Sequence, residues 1–366
     1  MKILHSAFLR NPSIGILNQM SYEQQAAQEL SLNWKVKIFC PKTLNYENDI
    51  LHYSESIEFN SGKLRLLIDW FRLRLEYYRW LRSFEGDVDA FVLRYATYDF
   101  FQLIFIYRSK KPIFLVHHTV EIPELVSSGR IFDKVKGNLE KLIGKYAILK
   151  SKAIVGVTQE IIDYEKNRIG RPEKLSLLYP NGVLFTSRPV LDKRGLVPEI
   201  LFVASYFETW QGLDLLLSNI KEYKGNFILH LVGEISSPDK IAAETDSRVI
   251  LHGRIGSEDI REIATSCWIG LSSFALHRKG MQEACPLKVR DYLMMGLPVF
   301  SSHEDVFPKI FKFYRNSTLS ISDILLFSLE TRGVAREVVS AEARKYIDKV
   351  EILRSLSTQM RALVDD

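Results

Sequence analysis

Residues 283–298 read EACPLKVRDYLMMGLP, the stretch of this 366-residue chain that decides most about its fold. Its apolar residues recur at helical spacing, and the pattern predicts a helix from Glu283 to Met295. The turn signal Gly296-Leu297-Pro298 follows, and then the short apolar strand Val299-Phe300. A helix that leads through a tight turn into an apolar strand is one step of an α/β pattern, so the stretch predicts a parallel sheet.

Short apolar runs and longer amphipathic segments alternate outward from this stretch. We expect strands at Ile3-Leu4-His5, Val36 to Phe39, Ala90 to Leu93, Ile113 to Val116, Ala153 to Val157, Leu175 to Leu178, Ile200 to Ala204, Phe227 to Val232, Val249 to Leu251, Trp268 to Ser272 and Val299-Phe300. We expect further helices at Asn18 to Leu30, Leu64 to Leu81, Val135 to Leu149, Glu160 to Arg168, Leu213 to Tyr223, Ser257 to Ser266 and, by composition, Ala341 to Leu363. Alternation of this kind is typical of doubly wound parallel sheets.

A break interrupts the alternation near the middle of the chain. Tyr179-Pro180-Asn181-Gly182 is a turn signal, and residues 189–198 are polar without clear periodicity. We place the linker between two domains in residues 189–198.

The composition is that of a globular protein, with 46% hydrophobic and 25% charged residues. No run of 18 apolar residues occurs and no signal-peptide pattern opens the sequence, so we expect a cytoplasmic protein without a membrane-spanning helix. Cys40, Cys267 and Cys285 lack the spacing of metal sites or disulfides and are expected to be buried thiols. The sequence shows no Walker loop, metal-ligand cluster or nucleic-acid-binding signature.

The net charge of +5 is unevenly distributed. Residues 1–188 contain 27 Lys and Arg against 20 Asp and Glu, whereas the remainder is slightly acidic. This excess suits an anionic partner of the first half, although a solvated basic surface explains it equally well.

Residues 63–82, KLRLLIDWFRLRLEYYRWLR, combine basic side chains with aromatic rings. A basic amphipathic helix of this kind can lie on an anionic membrane surface, and we expect its membrane-facing residues to be Trp70, Arg72, Arg74 and Arg79. A core-packed helix with a basic outer face is the alternative. A second basic stretch has lysines at positions 134, 136, 141, 145, 150 and 152.

Glu283, Lys288 and Asp291 are candidate binding residues within the opening stretch. If the helix proper starts near Pro286, Glu283 lies in the preceding loop and Asp291 lies in the second turn. Free amide groups at a helix N-terminus attract phosphate oxygens, and carboxylates accept hydrogen bonds from sugar hydroxyls. Lys288 in the first turn opposes the helix dipole but suits a diphosphate. An acidic helix face beside an exposed lysine, with no ligand, is the alternative.

With its Tyr-Leu-x-x-Gly-x-Pro ending, the opening stretch resembles the E-x7-E segment of retaining glycosyltransferases with the GT-B fold, especially family 4, the group 1 glycosyltransferases. The resemblance implies that Glu283 contacts the donor sugar and that Asp291 holds the ribose hydroxyls of the nucleotide. Asp291 departs from the glutamate of the family and is shorter by one methylene, so its contact shifts or uses a water.

The resemblance covers about the whole chain and is strongest from residue 200 to 300. The segments Ile200 to Ala204 and Trp210-Gln211-Gly212 resemble the first strand, loop and helix of the donor domain, and residues 180–183, PNGV, resemble the domain junction. Leu231-Val232-Gly233 and Leu251-His252-Gly253 resemble the ends of the next two strands of the donor domain. The implied additional donor contacts are Leu287, Gly233, Gly253 and Arg254.

Two cationic positions of the family are changed in this sequence. Its opening loop usually carries an Arg and a Lys that bind the donor phosphates, and the matching positions here are Ser205 and Gln211. We expect Lys288, together with Arg278 or Lys279, to supply the missing charge.

In the first domain, the resemblance implies a glycine loop beside the donor phosphate or acceptor, which Gly15 matches. It also implies a histidine near the reaction centre, which His117 or His118 matches, and we favour His118. Ligand sites of such sheets lie at the carboxyl ends of the strands, where both histidines are expected. Glu121 or Glu124 is a candidate acid or base for the acceptor.

The implied fold has two Rossmann-like domains that face each other across a cleft, with a final helix that crosses back to the first domain. Residues 1–188 plus about 341–366 would bind the acceptor, and residues 189–340 would bind the donor. The resemblance implies a retaining enzyme without bound cofactor or metal. It would move a hexose-type sugar from a nucleoside diphosphate sugar to a glycan or polyprenyl-diphosphate-linked acceptor in bacterial surface polysaccharide synthesis, at the inner face of the plasma membrane. The alternatives are a non-catalytic GT-B subunit that binds a partner or glycan and, less favoured, a GT-B epimerase.

Overall fold

A computed structural model describes residues 1–41, 48–55, 63–126, 130–185 and 189–365. The chain divides into two compact units. The first contains Met1–Pro180 and Lys349–Asp366, and the second contains Asn181–Asp348. The sequence placed these divisions at residues 188 and 340. None of the described helices is long and apolar enough to span a membrane.

Each unit contains one sheet in which all strands are parallel. The first sheet has the order β3-β2-β1-β4-β5-β6-β7, and the second has the order β10-β9-β8-β11-β12-β13. In chain order the strands are β1 (Ile3–Phe8), β2 (Trp34–Cys40), β3 (Leu51–Tyr53), β4 (Ala90–Arg94), β5 (Ile113–His117), β6 (Ala153–Gly156), β7 (Ser176–Leu178), β8 (Glu199–Tyr206), β9 (Ile228–Glu234), β10 (Val249–Gly253), β11 (Ile269–Leu271), β12 (Val299–Ser301) and β13 (Tyr314–Asn316).

Helices connect most consecutive strands, as parallel pairing requires. In chain order they are α1 (Ile14–Glu29), α2 (Lys63–Ser83), α3 (Phe100–Arg108), α4 (Glu121–Val126), α5 (Ile131–Lys150), α6 (Gln159–Ile169), α7 (Leu213–Glu222), α8 (Ser237–Glu244), α9 (Ser257–Ser266), α10 (Leu287–Met294), α11 (Ile321–Arg332), α12 (Arg336–Ile347) and α13 (Lys349–Asp365). Two short 3-10 turns, Thr209–Gln211 and Leu276–Lys279, lie in loops of the second unit. The two doubly wound parallel sheets predicted from the sequence are confirmed.

Several details differ from the sequence expectations. Helices α8 and α11 were not expected, and the helix expected over Ala341 to Leu363 is divided at Asp348 into α12 and α13. The short outer strands β3 and β13 were not expected, because each mixes polar and apolar residues and has only three residues. The predicted helix over residues 283–295 begins only at Leu287, since residues 283–286 form an extended loop.

The central strands are buried because helices cover both faces of a doubly wound sheet. In the first unit, β4 and β5 are apolar runs whose Phe91, Leu93, Phe114 and Leu115 are fully buried. In the second unit, Phe202, Leu231 and Phe300 are fully buried in the core in the same way. Each unit therefore has a core of its own.

The final helix α13 belongs to the first unit, where it packs on α1. The expectation that the last helix returns to the first domain is thus confirmed. The fully buried ammonium of Lys349 lies 4.0 Å from the centre of the Tyr179 ring and 3.8 Å from the Glu23 carboxylate. A buried charge needs such partners, so this contact specifies where α13 docks.

Glu23 in α1 is the centre of that contact. Its oxygens accept hydrogen bonds from Trp34 Nε1 at 2.8 Å and Tyr179 Oη at 2.7 Å, and one lies 2.6 Å from His5 Nδ1. Burial alone would raise the pKa of Glu23, but the charge and hydrogen bond of His5, with Lys349 and Tyr179, lower it to about 2. This carboxylate is therefore stabilised in its ionised form by the fold itself.

Candidate functional site

Helix α10 connects β11 to β12, so its N-terminus lies at the carboxyl edge of the second sheet, where ligands of doubly wound folds bind. Pro286 is the N-cap residue and makes no side-chain cap, and the first turn contains no acidic residue. The first amide groups of a helix lack intrahelical acceptors. The start of α10 can therefore receive an anion.

The loop before α10 carries Glu283, which is partly exposed. Glu283 forms an isolated parallel bridge with Glu304, and the amide of Ala284 donates to the Glu304 carbonyl at 2.9 Å. The Asn181 side chain donates to the Cys285 carbonyl at 2.6 Å. Glu283 is thus carried by a loop that is attached on both sides, and this holds its position relative to α10.

The sequence indicated Asn181 only as part of the domain junction, and it indicated no role for Arg290. Arg290 is fully buried, pairs through both terminal nitrogens with Asp305 at 2.5 and 2.6 Å, and donates from Nε to the Asn181 carbonyl at 3.1 Å. This bidentate pair joins α10 to the loop after β12. Only the long-range fold places Arg290 and Asp305 together, so no local signal could have revealed it.

Tyr292 fixes the other side of α10. Its buried hydroxyl accepts a hydrogen bond from the Val203 amide of β8 at 2.8 Å. The helix is therefore held against β8, the strand that contains Ser205 near its carboxyl end.

Lys288 lies in the first turn of α10 and points toward the loop after β8. Its ammonium donates to Gln211 Oε1 at 2.9 Å and lies 5.0 Å from the centre of the Phe202 ring. Gln211 Nε2 in turn donates to the Tyr206 carbonyl at 3.2 Å, which orients the amide oxygen toward the lysine. Burial lowers the pKa of Lys288 to about 7. An ammonium with a neutral partner at a helix N-terminus is poised to gain from an anionic ligand.

Asp291 lies one turn further along α10 and is partly exposed. Burial raises the pKa of its carboxyl group to about 6, against a smaller opposing effect of the Arg290 charge. A carboxylate that is desolvated and incompletely compensated is a candidate for ligand hydroxyl groups.

Arg278 and Lys279 are arranged differently from the expected phosphate clamp. Arg278 donates to both oxygens of Asp214, at 2.9 and 2.8 Å, and to the Thr209 carbonyl at 2.7 Å. The hydrogen bond of Asp214 outweighs burial and raises the pKa of Arg278. Lys279 lies 5.1 Å from the centre of the Trp210 ring. The charge of Arg278 is thus already neutralised, whereas Lys288 has no carboxylate within ion-pair distance among the described residues.

The remaining donor-side candidates lie at strand ends and at the start of α10. Gly233 ends β9 with a φ of 128°, and a Cβ there would lie 1.6 Å from the Ala204 carbonyl oxygen. This glycine is therefore required by the close approach of β8. Gly253 has open space beside it, Arg254 pairs with Glu234 at 3.1 Å, and Leu287 is partly exposed.

Two serines and a histidine at the same edge were not expected from the sequence. Ser272 Oγ and His303 Nε2 lie 3.0 Å apart, and His303 Nδ1 lies 2.9 Å from the Glu304 carbonyl oxygen. Burial lowers the pKa of His303, which favours its neutral form. The neighbouring Ser273 has a buried hydroxyl without a hydrogen-bond partner in the described residues. Ser272 and Ser273 follow β11, and His303 follows β12. The position of these polar residues just after two predicted strands is the sequence signal that could have indicated them.

In the first unit, His117 and His118 follow β5 as expected, but their surroundings differ. His117 is fully buried, its Nδ1 lies 2.8 Å from Glu121 Oε1, and its ring stacks on Tyr95 with a centroid distance of 4.4 Å. Burial lowers its pKa to about 4. The proposal of a catalytic role for His117 is therefore corrected to a packing role, since its ring is fully buried and its Nδ1 is bound to Glu121.

His118 is partly exposed and remains the candidate histidine. Burial, followed by the positive charges of Arg94 and of other nearby groups, lowers its pKa well below the usual value. A neutral imidazole can donate to or accept from a hydroxyl group of a substrate.

Gly15 does not lie in a loop. It is in the first turn of α1, which Ser13 caps by accepting a hydrogen bond from the Ile16 amide at 3.4 Å. It is exposed, so the start of α1 is accessible from solvent.

The expected membrane-facing residues of α2 separate into two groups. Arg72 and Arg79 are exposed, and Trp70 is half-buried. Arg74 points inward, where it pairs with the buried Asp99 and lies 4.1 Å from the centre of the Phe8 ring. The membrane-facing role of Arg74 is therefore corrected, because its charge neutralises a buried carboxylate.

The second unit also matches a protein-family model. The model described as "Glycosyl transferases group 1" matches residues 197–341, which include Gln211, Glu283, Lys288 and Asp291. No curated protein sequence matches the chain.

The whole chain is similar to several solved structures. The apo form of the lipopolysaccharide outer core galactosyltransferase WaaB is 13% identical with a TM-score of 0.68, over 98% of this chain and 99% of that chain. HepE from Anabaena, in complex with UDP, is 12% identical with a TM-score of 0.66, over 99% and 100% of the two chains. Sucrose-phosphate synthase from Thermosynechococcus elongatus is 13% identical with a TM-score of 0.69, over 99% of both chains.

These matches show the fold of the whole chain and a family likeness of the second unit. The two parallel-sheet α/β units have the GT-B fold. The match of residues 197–341 to the group 1 model supports a glycosyltransferase enzyme.

Proposed function

We propose that this protein is a retaining glycosyltransferase that moves a hexose-type sugar from a nucleoside diphosphate sugar to a glycan or a polyprenyl-diphosphate-linked acceptor. The observation that carries the proposal is α10. Its uncapped N-terminus and the partly desolvated Lys288 and Asp291 lie at the ligand edge of a sheet in the segment that matches the group 1 model.

In this proposal α10 and the loop before it bind different parts of the donor. Lys288 and the first amides of α10 bind the diphosphate, Asp291 accepts from the ribose hydroxyls, and Glu283 accepts from hydroxyl groups of the sugar. Lys288 would replace the missing cations at positions 205 and 211, because its neutral partner Gln211 leaves its charge for the phosphates.

The main contribution of the protein to catalysis is then the stabilisation of charge on the departing diphosphate. Donor phosphates beside Lys288 would raise its pKa from about 7, so that it stays protonated when the donor is bound. In the first unit, His118 is the proposed contact near the reaction centre. UDP is the first nucleotide to test, since HepE, which has the same fold, binds UDP.

The proposed setting is bacterial surface polysaccharide synthesis at the inner face of the plasma membrane. The basic excess of residues 1–188 and the exposed Arg72 and Arg79 support an anionic surface or acceptor there.

A thermal-shift screen with UDP, GDP and their sugars tests the donor site. A nucleotide that binds only the folded state raises Tm, and we expect this for one nucleotide in the wild type. We also expect Glu283→Ala to abolish donor hydrolysis and transfer while it retains nucleotide binding, because Glu283 is assigned to the sugar. A protein that binds no nucleotide and transfers no sugar, but forms a stable complex with another protein, would instead be a non-catalytic subunit.

A further inference from the structure

The solvent-facing side of α5 carries a continuous apolar stripe. We define the α5 stripe as Phe132, Val135, Leu139, Leu142 and Tyr146, all of them exposed, from 46% for Leu139 to 80% for Phe132. Their spacing alternates between three and four residues. At about 100° per residue, the five side chains fall within an arc of roughly 80° and extend over about 21 Å. Exposed apolar residues are normal singly, but a contiguous row marks an interaction surface.

The other face of α5 accounts for its fold. Glu140, Ala147 and Ile148 are fully buried, and Gly137 and Gly144 allow close approach of Val126 and of Tyr95. The helix therefore docks on the first unit through one face only. The α5 stripe lies outside the buried core of the first unit, so the packing of the described residues does not account for its apolar side chains.

The exposed charges on α5 have one sign. Lys134, Lys141, Lys145 and Lys150 are exposed, whereas no exposed side chain among the described residues of α5 is acidic. Of its two acids, Glu140 is buried and bound by Arg168 at 2.6 Å, and Asp133 pairs with Lys136 at 3.0 Å. An apolar row with basic residues beside it is the composition of a helix that lies in the interface of an anionic bilayer.

The neighbouring helices extend this surface. Helix α3 contacts both α2 and α5, and it exposes Phe100 and Tyr107. Between α2 and α3 lies a groove of about 300 Å³ whose apolar lining includes Phe101 and Phe105 and whose basic residues are Arg79, Arg82 and Arg108. Guanidinium groups beside apolar surface suit lipid phosphates above acyl chains.

We propose that the α5 stripe inserts into the interfacial region of an anionic lipid bilayer and docks the first unit there. This inference deepens the membrane location within the proposed function and rests on it for its biological meaning. A second copy of the chain is a poorer occupant, because two such faces would bring lysines against lysines.

Vesicle sedimentation without donor or acceptor tests the proposal. We expect the wild type to bind phosphatidylglycerol vesicles, to bind phosphatidylcholine vesicles much less, and to be released from the former in part by high salt. The double variant Leu139→Glu, Leu142→Glu should bind phosphatidylglycerol vesicles about tenfold or more weakly, since it removes apolar contact and adds repulsion.

The matched control is Leu326→Glu, Leu329→Glu in α11. These leucines have the same spacing and nearly the same exposure, 53% and 56% against 46% and 59% for Leu139 and Leu142. The control variant should bind as the wild type does, and circular dichroism should show that both variants are folded. Equal loss in both double variants, or no loss in the α5 variant, would overturn the proposal.

One further outcome and one further measurement separate the alternatives. A wild type that ignores vesicles but forms a dimer, which the α5 variant dissociates, would assign the stripe to a second copy and overturn the membrane proposal. Transfer to a water-soluble acceptor is measured separately, so the failure of docking and the failure of the proposed reaction are distinguishable.

Discussion

Two groups of charged residues with shifted pKa values, one in each unit, differ in how completely they are paired. Glu23 in the first unit is surrounded by His5, Trp34, Tyr179 and Lys349, and its pKa is lowered to about 2. In the second unit, burial shifts the pKa of Lys288 down to about 7 and that of Asp291 up to about 6.

The direction of each pKa shift shows whether the fold stabilises or destabilises the charged form of the group. A group whose charged form is stabilised by the fold contributes to stability, whereas a group whose charged form is destabilised costs stability and is retained for another reason. We interpret the Glu23 group as structural and the α10 charges as ligand-binding. The predictions below test this division, from the largest expected effect to the smallest.

Replacing Lys288 with Met should give the largest effect. We expect Lys288→Met to lower kcat/KM by a factor of about 100 to 1000, because the charge that we propose to face the leaving diphosphate is lost. The Tm of the unliganded protein should stay the same or rise, since a partly desolvated ammonium is replaced by an apolar side chain. Initial rates and thermal melts measure the two effects.

The control for this change is Lys221→Met, an exposed lysine in α7. It should leave both quantities unchanged. If Lys288→Met lowers Tm and leaves kcat/KM unchanged, the interpretation of Lys288 as a ligand-binding residue is wrong. Lys288 would then be a structural charge, as Glu23 is.

Glu23→Gln should give the next largest effect, on stability. It leaves the Lys349 ammonium buried without its counter-charge, and we expect a cost of about 3 kcal/mol. The folded pKa of Glu23 lies below its ordinary value of 4.5, so the advantage of the wild type over the variant is complete above about pH 4.5. It should disappear as the pH falls toward about 2. Urea unfolding at several pH values, with hydrogen exchange of α13, measures this.

Glu262→Gln is the matched control, since Glu262 pairs with Lys193 at 2.8 Å and both side chains are largely exposed. Its cost should stay below about 1 kcal/mol. A pH-independent difference between the wild type and Glu23→Gln would show that the charge of Glu23 is not what holds α13.

Some of this comparison could be read from the sequence. The alternation of apolar and amphipathic segments predicted both sheets, because the periodicity of a helix or strand is a local property of the sequence. The spacing of Glu283, Lys288 and Asp291 indicated α10 as the candidate binding helix. The roles of these three residues remain predictions.

Other features depend on contacts between distant segments. Arg74 was expected at a membrane but pairs with Asp99, and His117 was a catalytic candidate but is enclosed by Tyr95 and Glu121. The direction in which a side chain points depends on what packs beside it, and a single sequence does not show that. The same holds for Asp214, which is 64 residues from Arg278 and neutralises it.

Arg278→Met should have the smallest effect. Its guanidinium is held by Asp214 and the Thr209 carbonyl in a partly exposed ion pair, so we expect a stability change below about 1 kcal/mol and at most a few-fold loss of UDP affinity. Asp214→Asn sharpens the test, because it releases the guanidinium and should tighten UDP binding only if Arg278 can reach the phosphates. Isothermal titration of UDP against both variants measures this. The same titration is done on Lys288→Met. If Arg278→Met loses as much UDP affinity as Lys288→Met does, the ion pair between Arg278 and Asp214 opens when the donor binds. In that case a paired charge would also serve the ligand, and pairing in the unliganded protein would no longer separate structural from ligand-binding charges.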